Sequence, residues 1–154
     1  MAVESGPSVF EEDLNNCFGF LIEAERKEIG SYLQVKLCAA KETLMRENET
    51  SNYLAFLAQG RLAVRKETDF QGKYIILAML EQGTVVGETE ILGHGPRSTT
   101  VVAVEDCRLL TLTDECFDRL LDDNPALGIK LLKRIIYIMS LRLRKAGERL
   151  SQLL

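Results

Sequence analysis

Apolar residues follow two rhythms along this chain, and the change between them marks three stretches. From Val9 to Leu33, Phe10, Leu14, Phe18, Leu21, Ile29 and Leu33 stand among charges at helical spacing, which predicts two short packing helices broken near Gly19. From Gln34 to Leu112 the pattern becomes short runs rich in Val, Ile, Leu and Thr at 35–38, 43–45, 54–58, 62–64, 74–80, 99–104 and 108–112. Asn48, Gly60, Gly72, Gly83 and Asp106 stand between them as turn formers. Seven or eight short strands at such spacing predict a closed or rolled β-sheet.

Helical spacing returns at Thr113, an N-cap for an amphipathic segment that ends near Asn124. Pro125 then opens a longer helix, since proline is tolerated in a first turn. In it Leu132, Ile136, Met139, Leu143, Ala146, Leu150 and Leu153 recur at alternating steps of four and three. That heptad seam predicts a homodimer interface. A second line, Leu131, Ile135, Ile138 and Leu141, is expected to meet the sheet. No repeat or linker interrupts the chain, so residues 1–154 read as one domain, with helices over 1–33 and 113–154 around strands over 34–112.

Composition narrows the function classes. With 46% hydrophobic and 27% charged residues, 154 residues can bury a core without metals or disulfides. A net charge of -4 disfavours a nucleic-acid or anionic-membrane surface, because both require a concentrated cationic field. Cys17, Cys38, Cys107 and Cys116 show no short paired spacing, and the first residues lack the basic and apolar regions of a secretion signal. Reduced thiols in a cytoplasmic protein are the expectation. No apolar run approaches the ~20 residues that span a bilayer. A single histidine, His94, leaves too few ligands for a cupin-type metal site and no base for a hydrolase, so no enzyme activity and no metal are expected.

The chemistry concentrates between Val85 and Thr100. There Gly87, Gly93 and Gly95 permit close backbone approach, 89–92 can form one helical turn with N–H groups facing an anion, and Arg97 can grip a phosphate by two prongs. Glu88 can accept from a sugar hydroxyl. Taken alone, a Gly-rich turn of this kind favours a surface pairing of Glu88 with Arg97.

Val86-Gly87-Glu88-Thr89-Glu90 followed by Pro96-Arg97-Ser98-Thr99-Thr100 resembles the phosphate-binding cassette of the cyclic-nucleotide-binding domain family, usually Phe-Gly-Glu-Leu-Ala-Leu and then Pro-Arg-Ser/Ala-Ala-Thr. The resemblance runs from Asn16 to Leu153. It takes in Cys17-Phe18-Gly19-Phe20-Leu21, the turns at Gln59-Gly60-Arg61, Gln71-Gly72-Lys73 and Glu105-Asp106-Cys107, and Asn124-Pro125. Arg46-Glu47-Asn48-Glu49-Thr50-Ser51-Asn52 matches the family loop Arg-Glu-Gly-Asp-Pro-Gly-Asp, with Asn48 in place of a glycine that adopts the left-handed conformation.

This resemblance implies an α+β, mainly β fold: an eight-stranded, jelly-roll-like β-roll, with a cassette over 86–99, N-terminal helices and a long C-terminal helix. It also implies cAMP or cGMP as a regulatory ligand rather than a cofactor. Carried over, the ligand-binding residues are Val86, Gly87, Glu88, Thr89, Glu90, Arg97, Ser98, Thr99 and Arg142. Glu88 would face the ribose and Arg97 the cyclic phosphate, with N–H groups near Glu90 and Ser98 assisting.

Three departures stand out. Thr89 and Glu90 replace a leucine and a small residue, Val86 replaces an aromatic residue, and Ala146 and Gly147 replace the Thr-Ser pair that the catabolite-activator branch presents to the base. Glu90 would repel the phosphate or compete for Arg97 unless it points to solvent. Arg142 is then the nearest charged residue for the base.

Three functions stay open at this point: a cyclic-nucleotide sensor that acts on a downstream protein, a degenerate module used for dimerisation or partner binding, and a fragment of a catabolite-activator-type regulator. Because the long helix runs to Leu154, direct operator binding is expected only for a fragment.

Overall fold

A computed structural model describes residues 8–154; Met1–Pro7, which the sequence reading placed within the domain and found to lack a secretion signal, lie outside the described residues. The first helix, α1 (Val9–Phe18), starts where the Ser8 side chain accepts from the Glu11 N–H. α2 (Glu23–Gly30) follows, and the break falls at Gly19 as the spacing requires.

Eight strands come next: β1 (Gln34–Cys38), β2 (Thr43–Met45), β3 (Tyr53–Gln59), β4 (Leu62–Glu67), β5 (Tyr74–Leu80), β6 (Val85–Val86), β7 (Thr100–Ala103) and β8 (Cys107–Thr113). They form two antiparallel four-stranded sheets in the orders β1-β8-β3-β6 and β2-β7-β4-β5. The strand with no counterpart among the seven runs of the sequence is β6. Its two residues, paired as Ala55↔Val86 and Phe56↔Val85, are too few to show an alternation in sequence.

Alternation along β3 explains the division of the interior. Leu54, Phe56 and Ala58 face the helices, whereas Ala55 and Leu57 face the inside of the roll with Leu44, Met45, Leu62, Val86 and Leu109. The helical side is larger and includes Phe18 edge-on to Phe56 at 4.8 Å between centroids. Asp13 of α1, fully buried, accepts both Arg108 Nε at 2.6 Å and Nη2 at 2.8 Å, and so fixes α1 to β8.

α3 (Glu88–Gly93) is the short turn expected over 89–92, α4 (Asp114–Asp123) is capped by the Thr113 side chain, and α5 (Pro125–Leu153) is capped by Asn124. Leu131, Ile135 and Ile138 of α5 are buried against the core, as expected of the second apolar line. Of the seam, Leu132 and Met139 also touch that core, while Ile136, Leu143, Leu150 and Leu153 are exposed. A Cβ at Gly128 would collide with Leu121, so α4 and α5 meet at near-backbone contact.

Candidate functional site

Arg97 lies at the centre of the cassette with 2% exposure. Its main chain is held from both sides by the 46–52 loop: the Asn48 N–H donates to the Arg97 carbonyl at 2.7 Å, and the Arg97 N–H donates to the Glu49 carbonyl at 2.8 Å. Asn48 takes φ +70°, the left-handed conformation expected of it. Lys66 reinforces this corner by donating to Glu47 Oε1 at 2.7 Å and to the Ser98 carbonyl at 2.9 Å.

The guanidinium faces three acceptors. Nη2 donates to the Tyr53 carbonyl at 2.5 Å, and Nη1 donates to the Gly87 carbonyl at 3.1 Å and to Glu90 Oε2 at 3.3 Å. The Tyr53 ring centroid lies 5.3 Å from the guanidinium carbon. Gly87 has φ +82°, and a Cβ there would collide with Arg97 Nη1 and come within 2.9 Å of Met45 Cε. Glycine is therefore required both for conformation and for space.

Glu90 does not point to solvent. It is buried, and its Oε1 accepts from the Ser98 N–H at 2.9 Å and the Ser98 hydroxyl at 3.0 Å. Burial alone would raise its carboxyl, but the Ser98 N–H, its own N–H, the Ser98 hydroxyl and Arg97 together hold it below the ordinary carboxylate range. The simple surface pairing of Glu88 with Arg97 is corrected: Arg97 pairs with Glu90, and Glu88 Oε1 lies 3.8 Å from Arg142 Nη1.

Arg142 reaches from α5 to the Val85 carbonyl and the Thr84 hydroxyl. Burial lowers its pKa, opposed by Glu88. Arg142, the residue expected nearest the base, links α5 to the strand that leads into the cassette. Beside it, a cleft of ≈ 720 Å³ opens between β5, the 81–84 turn and α5, lined by Leu80, Gly83, Ile138, Leu141, Arg142 and Lys145.

Val86 is buried beneath the site, the exposed Thr89 hydroxyl donates to Glu88 Oε1 at 3.2 Å, and Thr99 is half-buried beside Ser98. The structure therefore brings Val86, Gly87, Glu88, Thr89, Glu90, Arg97, Ser98, Thr99 and Arg142 into one region. Sequence reasoning missed Tyr53, which accepts through its backbone oxygen, and Thr84, whose hydroxyl sits in a turn with no pattern to set it apart. His94 is an exposed residue at the end of α3, as expected.

The family described as cyclic nucleotide-binding domain matches residues 35–124, more than half of the chain. The chain belongs to this family. It is 29% identical over 124 residues to the cAMP-activated global transcriptional regulator CRP of Salmonella typhimurium, covering 80% of this chain and 57% of that protein. It is 31% identical over 117 residues to the cAMP-dependent protein kinase regulatory subunit of Mycosarcoma maydis, covering 73% of this chain and 22% of that one. The domain thus spans only part of the curated relatives it matches.

Among solved structures, a cyclic nucleotide-binding domain from Methylobacillus flagellatus superposes with a TM-score of 0.83 at 25% identity, covering 94% of this chain and 84% of that one. The Thermus thermophilus catabolite activator protein gives 0.71 at 29% identity, over 92% of this chain and 62% of that one. The β-roll expected from the cassette is confirmed. The two curated relatives are named for regulation. Among the described residues, no helix is long and apolar enough to cross a membrane, and no cluster of His, Cys, Asp and Glu could hold a metal ion.

Proposed function

We propose that this domain is a signal-transduction module that takes a cyclic nucleotide, cAMP or cGMP, at the cassette and passes its occupancy to α5. One observation carries the reading: a buried arginine, pinned by its backbone to the 46–52 loop, sits under a glycine whose missing side chain leaves room for it. A cyclic phosphodiester carries one negative charge and a free 2′-hydroxyl, which suits Arg97 and Glu88 respectively.

Transmission follows from Arg142. Its link to Glu88 and to the Val85 carbonyl ties α5 to the cassette, so a ribose hydroxyl on Glu88 would weaken one end of that tie. The ligand then favours whichever α5 arrangement leaves Glu88 free. Exposed Ile136, Leu143, Leu150 and Leu153 support self-association through α5, with output to a protein partner. Four free cysteines, three of them buried, fit a reducing cytoplasm.

Isothermal titration of cAMP and cGMP into wild type and Arg97→Ala tests the site. Binding by wild type is expected, with a loss of about 2 to 5 kcal/mol in the variant. A second reading has its own observation: Arg97 and Glu88 both already have internal partners, as in a module that keeps the fold for dimerisation or partner binding alone. Absence of heat with every cyclic nucleotide favours it.

A further inference from the structure

Glu90 stands where an anionic ligand would need to be. Its carboxylate gathers a guanidinium, a backbone N–H and a hydroxyl, from Arg97 and Ser98, at 2.9 to 3.3 Å. That is the donor set a phosphate monoanion would take. The remaining Arg97 donors offer little, since Nη2 is held by the Tyr53 carbonyl and only the buried Nε lacks an acceptor. Arg142 does not supply a spare charge, because Glu88 lies beside it. Each cation that the structure places against the cassette is thus matched by a carboxylate, and the cluster around Arg97 is electrically neutral.

Two anions cannot share one buried guanidinium unless one leaves or is neutralised. An uncharged ribose-bearing compound meets no such conflict. We infer that Glu90 is a specificity-determining residue that makes the cassette discriminate ligands by charge. A neutral riboside is admitted with Glu90 in place, whereas a cyclic phosphate enters only by driving Glu90 off Arg97 and Ser98. This inference rests on the reading of the cassette as the ligand site. It adds that the native chain binds cyclic phosphates below the capacity of its own scaffold.

The test is isothermal titration of cAMP, cGMP, adenosine and guanosine into wild type, Glu90→Gln and Glu90→Ala, with folding checked by circular dichroism. Glu90→Gln retains the shape and one acceptor while removing the charge, so it carries the test if the alanine variant does not fold. Cyclic nucleotides are expected to bind Glu90→Gln at least about tenfold more tightly than wild type, and the ratio of cyclic-nucleotide to nucleoside affinity is expected to rise by a similar factor. Equal or weaker cyclic-nucleotide binding by Glu90→Gln, when wild type does bind, overturns the role of Glu90 and leaves the ligand site standing. No heat from any of the four compounds with any folded variant overturns the ligand site itself.

Discussion

Gly87 shows how narrowly one residue can be constrained. Its left-handed backbone turns the chain from β6 into α3, and the space where a side chain would stand belongs to Arg97 Nη1 and Met45 Cε. Gly87→Ala combines a strained φ with displacement of a buried charge. It is expected to lower stability by about 2 to 4 kcal/mol in urea denaturation. A loss below about 0.5 kcal/mol would show that Arg97 can move aside freely. Glycine, Glu88 and Arg97 were legible in the sequence because their chemistry is specific. The internal partner of Arg97 was legible only as a conflict: Glu90 was recognisably out of place, but whether it faced solvent depended on Ser98 donating from both its backbone and its hydroxyl.

At the scale of elements, what could be read depended on length. α4 and α5 carry a cap and several turns of periodic apolar residues, so their starts at Thr113 and Asn124 were foreseeable. β6 has two residues and draws its place from pairing with β3, a contact that no local pattern records. The apolar seam of α5 illustrates a subtler limit, for its residues serve two masters. Leu132 and Met139 lean on the core, so replacing them would mix folding with association. Leu143, 75% exposed, separates the two. Leu143→Glu is expected to convert a dimer to a monomer in multi-angle light scattering with the melting temperature of the monomer unchanged. A monomeric wild type, or a dimer that persists in the variant, would remove α5 as the interface.

For the whole molecule, the perturbed groups define the pH range of stability. Glu25, held by Lys130, Glu47, held by Lys66, and Glu90 all lie below the ordinary carboxylate value of 4.5. Each contributes stability that is present above 4.5 and is lost as pH falls through its lower folded value, because the unfolded chain then binds more protons. At the other end, burial and the nearby Asp13 push Cys17 up to about 12 from 9.0. That thiol contributes stability below 9.0 which is lost as pH rises through about 12. Chemical denaturation across pH is therefore expected to show a plateau from about 5 to 9 with a fall on both sides. Glu90→Gln should soften the acid fall and Cys17→Ala the alkaline one, each measured against its own plateau. An acid limb that keeps its full slope in Glu90→Gln would mean that the carboxylate gains nothing from its setting.

The near-backbone contact of Gly128 with Leu121 bears on how α5 can move. Packed this closely, α4 is expected to follow any displacement of the first turns of α5. At a rise of 1.5 Å per residue, Arg142 lies roughly 26 Å along α5 from Pro125 and the far tip about 42 Å. Whatever reaches that arginine therefore acts nearer the free end of the helix than its packed start.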